Sequence, residues 1–577
     1  MSKKLKRLAS LATTAAVMGS TLLNGIPTFA SSGITCNAMS PLHINNWDSF
    51  NNDLQNAKDI GVNAISVDVW WGDVEKNGDN QFDFSYYDSV FKAITDKGLD
   101  IVPIMSFHQC GGNVGDDYTS TLPSWVWDKY SSYSIDGVNL TADNLKYKSS
   151  LGNSSKEYLA LWADEVVNNE YIDFMNAFED HFASYAKDMQ EINISGGPSG
   201  ELRYPSYNSH DGSATGYPTK GALQCYSDLA KANFKNEMLD KYNNLDGINA
   251  AWGTSLTDES QIGLPSDGDE FFYNGSNHPY YETQYGKDVL DWYNGSLVEH
   301  GDRMLGYAKD AFNDEFEDVD LGIKIPGVHW QYANTSTPRG AEVSAGLINS
   351  DFSSGNGYGY NPILKMVKDN DAILHFTCLE MNDQSGEQTS FPKTLVQNLG
   401  TSAQNLGVTL KGENALAGGE DYDYYWNNLR NAVANYGYDG ITILRLNDAV
   451  NNASYNYYKS FIKDFGIENP DDPVDPTELA SVNFSINNAT TYMGQNVYVV
   501  GNVAALGSWD PSSAVKLSPT NYPTWTSTIS NLPANTTIEF KFIKMDDSGN
   551  ITWESGSNRT LTTGDANSTI NFSDSWK

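Results

Sequence analysis

Cysteine is scarce in this 577-residue chain, and basic residues are outnumbered two to one. Cys36, Cys110, Cys225 and Cys378 are too few and too scattered for a disulfide framework, and no CxxC spacing offers a zinc site. Against 73 Asp and Glu stand only 36 Lys and Arg, for a formal net charge of −37. That balance argues against nucleic acid or an anionic membrane as partner. Beyond the first thirty residues no apolar run is long enough to span a bilayer. No GxGxxG or P-loop follows any strand-like run, which removes the usual phosphate-binding signatures.

What is present begins with an address. Lys3, Lys4, Lys6 and Arg7 precede an apolar stretch from Leu8 to about Ile26, and Thr28-Phe29-Ala30 has the form of a small-x-small cleavage site. Residues 1–30 are therefore expected to be a secretory signal peptide, and the protein to be extracellular. Losing those four cations takes the formal charge from −37 to −41. Aromatics are plentiful, with 34 Tyr and 14 Trp. Such a load fits stacking on sugar rings as well as the filling of a large core.

The mature chain is too long for one ordinary domain. Strand-like runs at Leu42–Asn46, Ala64–Trp71, Asp100–His108, Glu191–Ser195, Leu321–Trp330, Ala372–Met381, Val408–Leu416 and Ile441–Asp448 alternate with helical spacings such as Phe50–Ile60, Phe84–Leu99 and Trp162–Met189. Eight such units predict an α/β fold, best a (β/α)8 barrel over residues 31–467, with a doubly wound open sheet as the alternative. Glu468–Glu478, ENPDDPVDPTE, reads as an extended linker. Residues 479–577 hold only short alternating runs and turn residues, predicting a small all-β sandwich.

Polar residues gather where barrel chemistry is assembled, at the C-terminal ends of the strands. Asp68, His108, Glu201, Lys324 with His329, Thr377 with Glu380, Glu413 with Asn414, and Arg445 all fall there. Glu201 lies in Gly196–Tyr207, GGPSGELRYPSY, on a glycine-rich turn that leaves room for a close ligand. Aromatic neighbours there favour a raised pKa, as a general acid requires. Glu413 stands beside glycine in GEN at another strand end, where a helix N-terminus is the plainer role. Asp116 sits on a second glycine-rich loop, HQCGGNVGD, able to close over a ligand. Trp70 and Trp71 alternate faces of one strand, so one is expected in the core and the other at the rim. Two carboxylates flanking a bond are what glycoside hydrolysis needs.

HQCGGNVGD, GGPSGELRYPSY, FTCLEM and GENAL closely resemble the motifs of β-amylases, from about Asn37 to Phe465. The resemblance implies a barrel that releases maltose from the non-reducing ends of starch, amylose and related α-1,4-glucans with inversion; a monomer is expected. It makes Glu201 the general acid and Glu413 the general base that activates water. Glu380 is a rival base by position, but in the family its segment is a mobile inner loop whose Thr377 touches substrate. Asp116 resembles a loop carboxylate needed for activity but neither acid nor base. Asp68, His108, Lys324, His329, Asn414, Ala415 and Arg445 match substrate-binding positions. Similarity of Gly72–Asn80 to the bacterial branch implies one structural calcium ion held by Glu75, Asp79, Asn80, Glu170 and Asp173. Position 173 is Asp where relatives carry Glu. Hard oxygen donors suit that ion, and a solvated acidic turn is the alternative. The C-terminal domain resembles the starch-binding module of glucoamylases, which makes Trp525, Lys541, Trp553 and Asn558 its sugar site and leaves Trp509 to the sandwich core. A retaining endo-amylase and a non-catalytic starch adhesin are the competing functions.

Overall fold

The computed structural model describes residues 33–111, 116–207, 209–217, 219–266, 268–273, 280–332, 339–354, 357–384, 390–416, 418–467, 479–507, 509, 511–546 and 549–577. The expected signal peptide and the 468–478 linker lie outside the described residues.

Eight parallel strands close into a barrel: β1 (Thr35–Met39), β2 (Ala64–Trp70), β3 (Asp100–Ser106), β4 (Ile192–Ile194), β5 (Leu321–Ile325), β6 (Ile373–Phe376), β7 (Leu410–Glu413) and β8 (Gly440–Ile443). Each pairs with its neighbours in sequence, and β1 closes on β8. Helices α1 (Trp47–Ile60), α2 (Ser85–Thr95), α3 (Asp164–Phe182), α4 (Gln284–Ala311), α5 (Asn361–Asp369), α6 (Pro392–Leu406), α7 (Asp423–Tyr436) and α8 (Asn452–Phe465) alternate with them. The expected barrel is thus present, and the open sheet is excluded by its closure.

Local chemistry sets the boundaries. Asn46 caps α1 by accepting from Ser49 N at 3.1 Å, and Gly61, at φ 89°, ends it in the left-handed region. Between them Phe50, Leu54, Ala57 and Ile60 form the buried stripe. Strand β5 stops at Ile325 because Pro326 and Gly327 follow. The first strand differs from expectation: it is Thr35–Met39, and Leu42–Asn46 is a loop whose Leu42 and Ile44 are nonetheless buried. The polar residue that disguises β1, Asn37, works inside the barrel, where its Oδ1 accepts from Ala64 N and its Nδ2 donates to Gln190.

The barrel interior carries a tier of charge. Glu191 Oε2 accepts from Lys411 Nζ at 2.6 Å, and its other oxygen meets His375 Nε2. A Cβ on Gly322 would collide with Asn193 and Glu191, so only glycine leaves space for this cluster. Because strand side chains alternate, residues two beyond this tier also point inward. Those residues are Lys324 on β5 and Glu413 on β7.

Residues 479–575 form a separate sandwich of strands β9 (Leu479–Asn487), β10 (Gln495–Gly501), β11 (Val515–Lys516), β12 (Ser518–Asn521), β13 (Thr524–Pro533), β14 (Thr537–Asp546), β15 (Ile551–Trp553), β16 (Arg559–Thr562) and β17 (Thr569–Ser575). One sheet runs β12-β13-β9-β17; the other runs β11-β10-β14-β15, with β16 also paired to β14. Val482, Phe484 and Ile486 from the first sheet meet Val497, Val499, Phe540 and Phe542 from the second in one apolar core.

Candidate active site and sugar-binding surfaces

Glu201 leaves a short turn, Pro198–Gly200, whose backbone reaches the left-handed region at Ser199 (φ 59°) and Gly200 (φ 76°). A side chain at Gly200 would press on the His108 ring. The turn delivers the next residues to β5, where Leu202 N donates to the Lys324 carbonyl at 2.7 Å. The Glu201 carboxylate accepts from Arg203 Nε at 2.8 Å. Arg203, 1 % exposed, is fixed in turn by the Tyr204 carbonyl, by Ser199 Oγ and by the Tyr207 ring beneath its guanidinium. Burial raises the Glu201 pKa; Arg203 and Lys324 oppose that rise and Glu413 adds to it. A glutamate held this way keeps its proton to higher pH than an exposed one.

Glu413 ends β7 with its carboxylate buried, and its Oε2 accepts from Lys324 Nζ at 2.9 Å. An ammonium has no acceptor capacity, so this oxygen is used purely as an acceptor. One lysine therefore stands between two carboxylates, joined to Glu413 by its side chain and to the Glu201 segment by its backbone.

The other expected rim residues surround this pair. Asp68 Oδ1 accepts from Ser106 Oγ at 2.7 Å, and its pKa is raised by burial against the pull of Ser106, Lys324 and Arg445. His108 meets Ser195 Oγ through Nδ1 at 2.9 Å; burial, with Lys324 and Arg203 nearby, pushes it down to about 3, so the ring is neutral. Burial likewise holds His329 at about 4, and its Nδ1 meets Ser390 Oγ. Arg445, at φ 68°, approaches Asp116 to 3.7 Å and so ties the glycine-rich loop to the end of β8. Trp70 and Trp71 do not alternate on one strand as expected, because β2 ends at Trp70 and Trp71 opens a helical turn, and both are buried. Trp71 joins the main core, whereas Trp70 packs with Leu42 and Cys110 beside His108.

Two expected substrate contacts have structural duties here. Thr377 Oγ1 accepts from Gly327 N at 2.7 Å, and Asn414 bridges Leu444 N and the Leu416 carbonyl with its side-chain amide. Glu380 is not presented as a second base. Both its oxygens accept from Ala415 N at 3.1 Å, one also from Leu416 N, and burial pushes its pKa up to about 7. It anchors the segment that follows Glu413. Sequence reasoning missed Arg203 as the residue that orients Glu201, although its place two residues on in GELR was the available signal.

The expected calcium ligands do not assemble into a divalent site. Glu75 and Glu170 are buried and Asp79 approaches them, but Asp173 is exposed. Among the described residues no three His, Cys, Asp or Glu side chains are gathered to hold a metal. Lys129 occupies the space between Asp79 and Glu170. A lysine ammonium among the donors does not fit a second cation in the same place.

On the sandwich, Trp553 is 41 % exposed. Lys541 Nζ reaches the Gly556 carbonyl at 2.7 Å, and Asn558 Nδ2 donates to Glu539 Oε2 at 3.0 Å, so these three lie on one sheet end. Trp525 is a correction. It is 2 % exposed, packed in the sandwich core, with its indole N–H donating to the Ala489 carbonyl at 2.9 Å. Trp509 is not in that core as expected; it is half-buried, with its backbone N–H donating to the Gly501 carbonyl. All four cysteines are free and buried.

Comparison with known proteins agrees with this architecture. The family model described as glycosyl hydrolase family 14 matches residues 37–466, and the one described as starch binding domain matches 479–573. A thermophilic beta-amylase of Thermoanaerobacterium thermosulfurigenes is 42 % identical over 557 residues, covering 94 % of this chain and 95 % of its own. A beta-amylase of Bacillus cereus is 41 % identical over 525 residues, covering 89 % of this chain and 88 % of its own. The crystal structure of the catalytic domain of beta-amylase from Paenibacillus polymyxa superposes with a TM-score of 0.66 at 41 % identity, over 75 % of this chain and 97 % of that one.

Proposed function

Because the chain belongs to glycosyl hydrolase family 14 and carries a starch-binding domain behind its barrel, we propose that it releases maltose from the non-reducing ends of α-1,4-glucans with inversion. Glu201 is the general acid and Glu413 the general base. The observation that carries this reading is Lys324, which holds Glu413 through a charged hydrogen bond while its backbone fixes the segment bearing the raised-pKa Glu201.

In this reaction Glu413 takes a proton from a water whose oxygen bonds to the anomeric carbon. Glu201 gives its proton to the glycosidic oxygen on the opposite face, and the bond from that carbon to the departing chain breaks. One water is consumed, and the two glutamates exchange protonation states until solvent restores them. The mechanism needs the two carboxyl groups about 6.5–9.5 Å apart, leaving space for that water. Asp68, neutral His108, His329 and Arg445 supply the hydroxyl contacts around the reacting ring. The starch-binding domain presents Trp553 for stacking, with Lys541 and Asn558 for hydroxyls, and tethering raises the local concentration of chain ends at the barrel. The basic and apolar start of the chain supports export from the cell.

Proton NMR of the sugar released from soluble starch in the first minutes tests this reading. The β-anomer of maltose, with no longer oligosaccharides, is the expected result, abolished by Glu201→Gln and by Glu413→Gln. The α-anomer or a ladder of oligosaccharides indicates a retaining endo-amylase and overturns both assignments. Starch binding with no sugar released leaves only an adhesin.

A further inference from the structure

Glu170 is buried, Asp79 faces it across Lys129, and Glu75 lies beside them with one oxygen on Asn80 N. A pocket of this charge calls for a cation. The one it holds belongs to the chain itself. Lys129 Nζ lies 2.5 Å from Glu170 Oε1 and 2.7 Å from Asp79 Oδ2. The ammonium is thus paired with both carboxylates and occupies the space between them. The rings of Trp125 and Tyr130 stand 5.2 and 5.6 Å from the same nitrogen and add aromatic faces to its surroundings.

The surrounding donors are committed in the same sense. Glu170 also accepts from the Tyr130 hydroxyl. The two oxygens of Glu75 are taken by Trp71 Nε1 at 2.6 Å and Asn80 N at 2.5 Å. Asn80 turns its amide N–H₂, which cannot coordinate a metal, toward Asp79. Asp173, the shortened fifth ligand, is exposed. We propose that the Lys129 ammonium is the resident cation of this pocket, replacing a divalent ion, and that the folded chain neither binds nor requires calcium there. The inference concerns the stability of the barrel and is independent of the catalytic assignments.

Thermal melts of the full chain in chelator and in millimolar calcium test it, alongside titration of the chain against a fluorescent calcium indicator. The wild type is expected to melt at the same midpoint in both and to leave the indicator undisturbed. Lys129→Gln is expected to melt lower in chelator, to regain stability with calcium, and to bind it at least about tenfold more tightly, since a like charge no longer contacts the ion. Lys129→Arg, keeping the charge, is expected to stay insensitive to calcium. A wild-type midpoint that falls in chelator or rises with calcium overturns the proposal, as does a Lys129→Gln variant with unchanged stability and no calcium response. Should Lys129→Gln fail to fold, the wild-type melts and titration still decide.

Discussion

Lys324 Nζ donates to Glu413 Oε2 at 2.9 Å, the shortest described link between the candidate base and the strand that also receives the candidate acid's segment. Lys324 is buried among Glu413, Glu201 and Asp68, which together keep its pKa raised against the effect of burial. It is the electrostatic hinge of the site.

Replacing it gives the first prediction. Lys324→Met removes one of the two cations that oppose the rise of the Glu201 pKa. The alkaline limb of the kcat/KM profile is therefore expected to move to higher pH, while kcat falls by about 10²-fold, in the range of a lost general-acid–base contribution. A full pH–rate profile of both proteins measures the two effects together. An unmoved alkaline limb would show that Glu201 does not set it.

A second prediction separates the two glutamates at neighbouring strand ends. Glu380→Gln retains an amide oxygen to accept from Ala415 N, so kcat should drop by about tenfold or less, whereas Glu413→Gln should lose about 10²–10⁴-fold. Comparable losses would return Glu380 to the role of base.

Acid stability tests the tier below. Burial alone would raise the Glu191 pKa, but His375 and Lys411 more than reverse this and bring it from 4.5 to about 2. A depressed folded-state pKa adds stability that is complete above the unfolded value near 4.5 and vanishes as the pH falls through about 2. Urea midpoints between pH 5 and pH 2 should fall for the wild type. They should fall less for Glu191→Gln, which starts about 3–5 kcal/mol less stable because buried Lys411 has lost its counter-charge.

The two tryptophans of the sandwich should behave oppositely. Trp553→Ala is expected to abolish or sharply weaken retention on starch granules with the domain's melting midpoint unchanged. Trp525→Ala should destabilise the domain by about 3–5 kcal/mol, as for a buried aromatic cut back to a methyl. Granule pull-down and calorimetry on each variant distinguish them.

Much of this molecule was legible before any coordinates. The order of strands and the carboxylates at their ends could be read because apolar runs and glycine-rich turns are local signals, although the expected strand Leu321–Trp330 overran Pro326–Gly327, where β5 stops at Ile325. Strand β1 escaped because its inward Asn37 breaks the apolar pattern for the sake of contacts to β2 and Gln190. Trp525 was assigned to the sugar site by resemblance alone, and a motif match does not show that the opposite sheet covers that side chain. Lys129 acts through a distance set by the tertiary fold, reaching across 41 residues to Glu170. No spacing rule announces such a reach.

The interior of the barrel has a consequence for anyone who would vary this sequence. Branched hydrocarbons in a core can often be exchanged for one another provided total volume is kept. A floor of Glu191, His375 and Lys411, seated where Gly322 withholds a side chain, allows no such barter, since each member is needed for the hydrogen bonds it directs at the others. In a saturation library those four positions should prove as intolerant as Glu201 and Glu413 themselves. A map of intolerance would then outline two objects, the reacting centre and the ionic platform beneath it, and only chemistry would tell them apart.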